Sequence, residues 1–160
     1  MRRLWAPWRM AWIGASHPPA GCVFCNARDG GNDRETYLLE RGEHAYLILN
    51  AYPYAPGHLL AVINRHVATV GEAGPAELGD AMRLVQRAVA ALGAEYRAEG
   101  FNVGWNQGRA AGAGIEDHLH VHVVPRWNGD ANFVTVVGET RVLPEALGTT
   151  WERLRGRLRG

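Results

Sequence analysis

Three histidines at alternate positions, His118, His120 and His122, are the residues of this sequence best placed to do chemistry. On an extended strand the period of two sets all three imidazoles on one face and Leu119, Val121 and Val123 on the other, where they can pack into a core. Imidazoles presented together have three physical uses. They can share a zinc ion, as in a His₃ catalytic site. One can attack phosphorus as a neutral nucleophile while its neighbours orient it and bind the anionic phosphate. They can also form a polar exposed face with no chemistry. Just upstream, Asn106-Gln107-Gly108-Arg109-Ala110-Ala111-Gly112-Ala113-Gly114 offers unshielded backbone N–H groups, one guanidinium and one amide. Such a loop is a cradle for phosphate oxygens and favours the phosphorus reading.

A second cluster begins at Cys22 and Cys25, the only cysteines of the chain. Their separation is poor for a structural disulfide and good for chelating a metal or for redox exchange. A tetrahedral site needs two more ligands, and His66, after Asn64-Arg65 at the end of an apolar run, is the candidate third. A redox pair, or two small buried residues, are the competing readings. His17 and His44 have no evident partner and are expected on the surface.

Short strands are predicted at 36–40, 45–49, 57–63, 101–105 and 117–124, the last closed by Pro125, with one more at 133–137. Leu78, Met82, Val85, Val89, Leu92 and Tyr96 recur at steps of four and three after Pro75, which predicts one long helix with that stripe in the core. Residues 1–20, with Trp5, Trp8 and Trp12 among arginines and prolines, suit an irregular arm. Residues 148–160, with arginine at 153, 155, 157 and 159, suit a solvated basic helix end or a frayed terminus. Strands on hairpin-length connections with one long helix and a C-terminal helix predict an antiparallel α+β domain of about five strands spanning 1–160. No Gly-x-Gly-x-x-Gly stands between a strand and a helix, so a Rossmann reading has nothing to stand on.

With 160 residues, 47% hydrophobic and 21% charged, the chain is sized for one core. Its net charge of +1 gives no electrostatic argument for DNA. The chain contains no lysine, so no Schiff base and no P-loop cation can form. Without an apolar run of about 18 residues or a secretion signal, a cytoplasmic protein is expected, with no membrane partner.

The run His118-Leu119-His120-Val121-His122-Val123-Val124 resembles the histidine-triad motif of the HIT superfamily of nucleotide hydrolases and transferases. The likeness extends from Arg3-Leu4-Trp5-Ala6-Pro7-Trp8-Arg9 through Leu49-Asn50-Ala51-Tyr52-Pro53-Tyr54-Ala55-Pro56-Gly57-His58 to Pro125-Arg126-Trp127-Asn128-Gly129-Asp130-Ala131-Asn132-Phe133. The last segment is similar to the diadenosine tetraphosphate phosphorylase branch, with bacterial HIT hydrolases close by. This resemblance implies a homodimer of antiparallel sheets acting on a nucleotide, adenine by preference, with no organic cofactor. It implies that His120 attacks the α-phosphorus to form a nucleotidyl-histidine, that His122 contacts the reacting phosphate, that Asn50 holds the ribose and that His58 supports the histidines. Asn106, Arg109, Gly112, Ala113 and Gly114 would hold phosphate oxygens. It further implies a structural zinc on Cys22, Cys25, His66 and His118. Many hydrolase members carry glutamine where Gly114 stands, and phosphorylase-like members commonly show Gly-Gly-Ser in place of Gly112-Ala113-Gly114. Hydrolysis, phosphorolysis, a His₃-zinc metallohydrolase and a non-catalytic nucleotide-binding module therefore stay open at this point.

Overall fold

The computed structural model describes residues 21–130 and 143–159. The arm expected at 1–20 and the strand expected at 133–137 lie outside the described residues. Five antiparallel strands form one sheet: β1 (Leu38–Arg41), β2 (Ala45–Leu49), β3 (Leu59–Ile63), β4 (Gly100–Gly104) and β5 (His120–Arg126). Their spatial order is β1-β2-β3-β5-β4. Two short helices, α1 (Val23–Asp29) and α2 (Asp33–Thr36), precede the sheet. The long α3 (Pro75–Tyr96) joins β3 to β4, and α4 (Leu147–Leu158) follows β5 in the chain.

All five residues of β2 and of β3 are buried, because both faces of the sheet are covered there. Leu47, Leu49, Leu59, Ala61 and Ile63 pack with α3 and α4. On the opposite face Tyr46, Ile48, Leu60 and Val62 meet Phe24 of α1. At the start of α3, Pro75 needs no N–H partner and the Glu77 carboxylate accepts the Gly74 N–H at 2.7 Å.

The buried face of α3 is Ala81, Leu84, Val85, Ala88, Ala91 and Leu92, turned slightly from the predicted stripe. Alanines allow the helix to approach the sheet closely, and a count of large apolar residues overlooks them. Met82, expected in the core, is instead 46% exposed. Thr36 closes a helix capped by Asn32 rather than opening a strand, because Tyr37 adopts a left-handed conformation at φ 59°. β5 continues through Pro125: its ladder with β3 ends at Val123, so beyond that point one side of β5 is an edge, where a residue without an N–H is tolerated.

The basic C-terminal segment is a docked helix, neither frayed nor merely solvated. Leu154 and Leu158 are buried, and the Trp151 indole donates to the Leu38 carbonyl at 2.9 Å. Arg153 reaches Glu95 and Glu145 at 2.7 Å, Arg157 reaches Glu95 at 2.8 Å, and Arg155 donates to the Leu39 carbonyl.

Candidate active site and metal centre

The register of β5 on β3 sets His120 opposite Val62 and His122 opposite Leu60. Both histidines therefore share the Phe24 face of the sheet, while Val121 and Val123 turn toward α3. His118 lies just before the strand, held by the Leu119 N–H donating to the Val67 carbonyl at 2.7 Å. His118 and His120 are buried, and the Phe24 ring packs against both, with centroids 5.5 and 4.9 Å away.

Backbone partners fix the proton on each ring. His118 Nε2 donates to the Ile63 carbonyl at 2.7 Å, which leaves its Nδ1 lone pair available. His120 Nδ1 donates to the His118 carbonyl at 2.8 Å, which leaves Nε2 as an unprotonated, nucleophilic nitrogen. The Tyr54 N–H donates to His58 Nδ1 at 3.1 Å, so His58 Nε2 carries the proton and donates to His122 Nδ1 at 2.9 Å. His122 Nε2 is thereby a donor.

Burial keeps these rings neutral. Desolvation, aided by His122 and His120, lowers His58 to about 3, and desolvation with His120 lowers His122 to about 4. Desolvation also lowers His120, against the opposing effect of its bond to the His118 carbonyl. The site thus holds a neutral nucleophile beside a neutral donor, the pairing required for attack on phosphorus near neutral pH.

The loop between β2 and β3 closes one side. Asn50 stands at the end of β2, its Oδ1 accepting the Tyr52 N–H at 2.9 Å and its Nδ2 lying 3.3 Å from His58 Nδ1. Tyr54 stacks on His122 with centroids 5.9 Å apart at 18°. Neither the Tyr54 amide nor its ring was anticipated from sequence; its position four residues before His58 in a tight turn was the only available signal.

The glycine loop divides. Gly108 and Gly112 adopt positive φ of 79° and 82° around a short 3₁₀ turn (Arg109–Ala111). Asn106 Nδ2 donates to the Gly112 carbonyl at 3.4 Å, and Asn106 lines a cleft together with His122. Arg109 pairs with Glu116 at 3.0 Å and, with Gly114, lines a different cavity beside Cys22 and His66. Ala113 N–H points back to the Gly108 carbonyl at 3.4 Å. A Cβ on Gly114 would meet nothing within 4 Å, so no close approach requires glycine there.

Cys22, Cys25, His66 and His118 converge, with one ligand atom from each lying within 4.8 Å of the others. Cys22 Sγ is 3.1 Å and Cys25 Sγ 3.7 Å from His118 Nδ1, and Cys25 Sγ is 3.6 Å from His66 Nδ1. A tetrahedral zinc with bonds of about 2.0–2.3 Å sets its ligands about 3.5 Å apart, so the donors and spacings fit that ion. The His118 bond to Ile63 is the outer hydrogen bond that orients a metal-bound imidazole. Burial and the adjacent Cys22 push the Cys25 thiol up, so a cation is what would favour its thiolate. With one His118 nitrogen aimed at sulfur and the other at a carbonyl, neither is left to share an ion with His120 and His122. The geometry therefore opposes the His₃ reading. His44 sits half-buried near Glu43, away from both clusters.

Comparison with known proteins follows the same lines. Residues 33–129 match the HIT domain. The chain is 39% identical over 158 residues, 94% of its own length and 80% of the relative's, to the AP-4-A phosphorylase of Mycobacterium tuberculosis. Its fold superposes on a Zn-bound histidine triad family protein from Mycobacterium smegmatis with a TM-score of 0.71 and 28% identity, covering 87% of this chain and 94% of that one. The diadenosine triphosphate hydrolase of Plasmodium falciparum shares the fold at a TM-score of 0.62 and 18% identity, covering 80% of this chain and 76% of that one. With His120 and His122 on β5 and His118 just before it, the matching sheet and these relatives, the chain belongs to the HIT domain family.

Proposed function

We propose that this chain transfers an adenylyl group from a dinucleoside polyphosphate to inorganic phosphate by way of a covalent intermediate on His120. The observation that carries the reading is the His120 Nδ1–H bond to the His118 carbonyl at 2.8 Å, which commits Nε2 to the unprotonated state. In the first step the Nε2 lone pair forms a bond to the α-phosphorus, and the bond from that phosphorus to the bridging oxygen breaks. The departing nucleoside polyphosphate keeps that electron pair. In the second step a phosphate oxygen attacks the same phosphorus, the N–P bond breaks, and ADP leaves with His120 restored. For diadenosine tetraphosphate the products are ATP and ADP.

In this reading His122 Nε2–H donates to an oxygen of the reacting phosphate, and His58 fixes its tautomer. Asn50 holds the ribose. Asn106, which lines the cleft beside His122, attends the phosphate oxygens, a preorganised donor of the kind that stabilises developing charge, whereas Arg109 and Gly114 line the cavity beside Cys22 and His66. Zinc on Cys22, Cys25, His66 and His118 would be structural, anchoring the residue whose carbonyl orients His120. A homodimer is part of the same reading: among the described residues β4 is a sheet edge, and Met82, Val103 and Trp105 beside it are 44–46% exposed. No described helix is long and apolar enough to cross a membrane, and unpaired cysteines suit the reducing cytoplasm.

Phosphate is favoured as acceptor by the 39% identity to an AP-4-A phosphorylase. Hydrolysis remains the second reading because Gly114 and Ala113 depart from the commoner loop residues. Product analysis separates the two: ADP and ATP formed from diadenosine tetraphosphate only when phosphate is present supports transfer to phosphate. AMP and ATP at an equal rate without phosphate would replace it with hydrolysis.

A further inference from the structure

Backbone carbonyls fix the rings of His118 and His120, but among the described residues none holds the ring of His122. The torsion that turns an imidazole about its Cβ–Cγ bond is broad and roughly two-fold, so the side chain's own preference does not set the plane of the ring. The His58 Nε2–H, 2.9 Å from His122 Nδ1, decides which edge faces His58. A single hydrogen bond still leaves the ring able to tilt about it. Strand β4 gives no support from the other side: the residue opposite His122 is Gly104, and a Cβ there would meet nothing within 4 Å.

Tyr54 supplies the remaining constraint. Its ring lies 5.9 Å from that of His122 at 18°, nearly parallel, whereas His58 and His120 meet the same ring at 41° and 64°. Offset stacking at such a separation is attractive. The loop that carries Tyr54 is tied down on both sides. The Asn50 N–H donates to the His58 carbonyl at 2.9 Å, and the Tyr54 N–H donates to His58 Nδ1 at 3.1 Å. Pro53 and Pro56 fix two of its φ angles, and Gly57 turns at φ 78° to lead into β3. Tyr54 therefore serves both members of the His58–His122 pair, His58 through its amide and His122 through its ring. The side chain is 49% exposed, so removing it opens no cavity in the core.

We propose that Tyr54 is a positioning residue whose ring sets the plane of His122 and so aims its Nε2–H at the reacting phosphate. The inference rests on the adenylyl-transfer reading, in which His122 donates to that phosphate. Because Tyr54 acts through His122 on charge that develops during the reaction, losing its ring lowers kcat more than it raises KM.

The test uses the zinc-supplemented full chain with its Tyr54→Ala and Tyr54→Phe variants. Alanine keeps the N–H that fixes His58 and removes only the ring, whereas phenylalanine keeps the ring. Two readouts are taken near neutral pH. One is kcat and KM for diadenosine tetraphosphate with inorganic phosphate. The other is the ring-nitrogen NMR signals of His122 in ¹⁵N-labelled protein without substrate, assigned by their loss in His122→Gln. The parent is expected to show one neutral tautomer, with Nδ1 accepting and Nε2 protonated. In Tyr54→Ala the two nitrogen signals should move toward each other, and kcat should fall about tenfold or more with a smaller change in KM, the scale of a displaced catalytic group. Tyr54→Phe should restore the signals and bring kcat within about twofold of the parent, since the stack needs only the face of the ring. Unmoved His122 signals in Tyr54→Ala overturn the proposal whatever the activity. A rise in KM alone would make Tyr54 a substrate contact and overturns it as well, as do moved signals with an unchanged kcat. No transfer by the parent overturns the adenylyl-transfer reading itself, and needs no variant to show it.

Discussion

Acid should destabilise this protein through the His58–His122 pair, and one substitution should show it. His58 is 1% exposed and its neutral ring is held between the Tyr54 N–H and His122. Its folded value is lowered to about 3 and that of His122 to about 4, against 6.5 for a free imidazole. Between these values the unfolded chain binds more protons than the folded one, so stability is present above about pH 6.5 and is lost as pH falls toward the folded values. Between pH 7 and pH 5 each imidazole costs about 2 kcal/mol. Metal ligands also protonate in this range, so the useful quantity is a difference between proteins. In His58→Gln the amide can still donate to His122 but cannot be protonated. The loss of stability between pH 7 and pH 5, from urea unfolding with zinc present, should shrink by about 2 kcal/mol relative to the parent. Equal losses in the two proteins would show that His58 titrates normally in the fold and that the pair is not held neutral.

Other expectations follow from particular contacts. Cys25→Ala should remove one equivalent of tightly bound zinc, measured by metal analysis after gel filtration. It should also abolish the rise in melting temperature on adding zinc, which corresponds to about 4 kcal/mol at a free zinc concentration a thousandfold above Kd. Gly57 has φ +78° and an added Cβ would lie 2.6 Å from Leu92 Cδ2, so Gly57→Ala should cost about 1–3 kcal/mol in chemical denaturation. Leu154 is fully buried between α4 and the sheet, and Leu154→Ala should cost about 2–5 kcal/mol, whereas a frayed terminus would give nearly none.

The histidine strand was legible in the sequence because period two is a local property, and the alternation of His120–Val123 survives in the register with β3, although the strand begins at His120 and not at Asp117. The long helix was legible in extent, but its buried face was misplaced because Ala81, Ala88 and Ala91 contribute through closeness rather than size. The cysteine spacing suggested a metal, yet the closure of Cys22 onto His118 spans 96 residues and only the fold creates it. Proton positions depend on carbonyls of Ile63 and His118, groups that every residue carries and no pattern distinguishes. The arginines of α4 looked solvated because their partners, Glu95 and Glu145, are distant or unremarkable in sequence.

The central claim is that His120 Nε2 becomes bonded to phosphorus. Its most direct measurement is a single-turnover reaction of enzyme in excess over α-³²P-labelled diadenosine tetraphosphate, quenched in base without added phosphate. The protein-bound label is then located by peptide mapping. A base-stable, acid-labile adenylyl group is expected on the peptide containing His120, absent from His120→Ala and discharged as ADP when phosphate is added. His120→Ala should also lose turnover by about 10³-fold or more. Turnover by the parent with no label on the protein, or label on His120→Ala at the parent's level, would contradict the account.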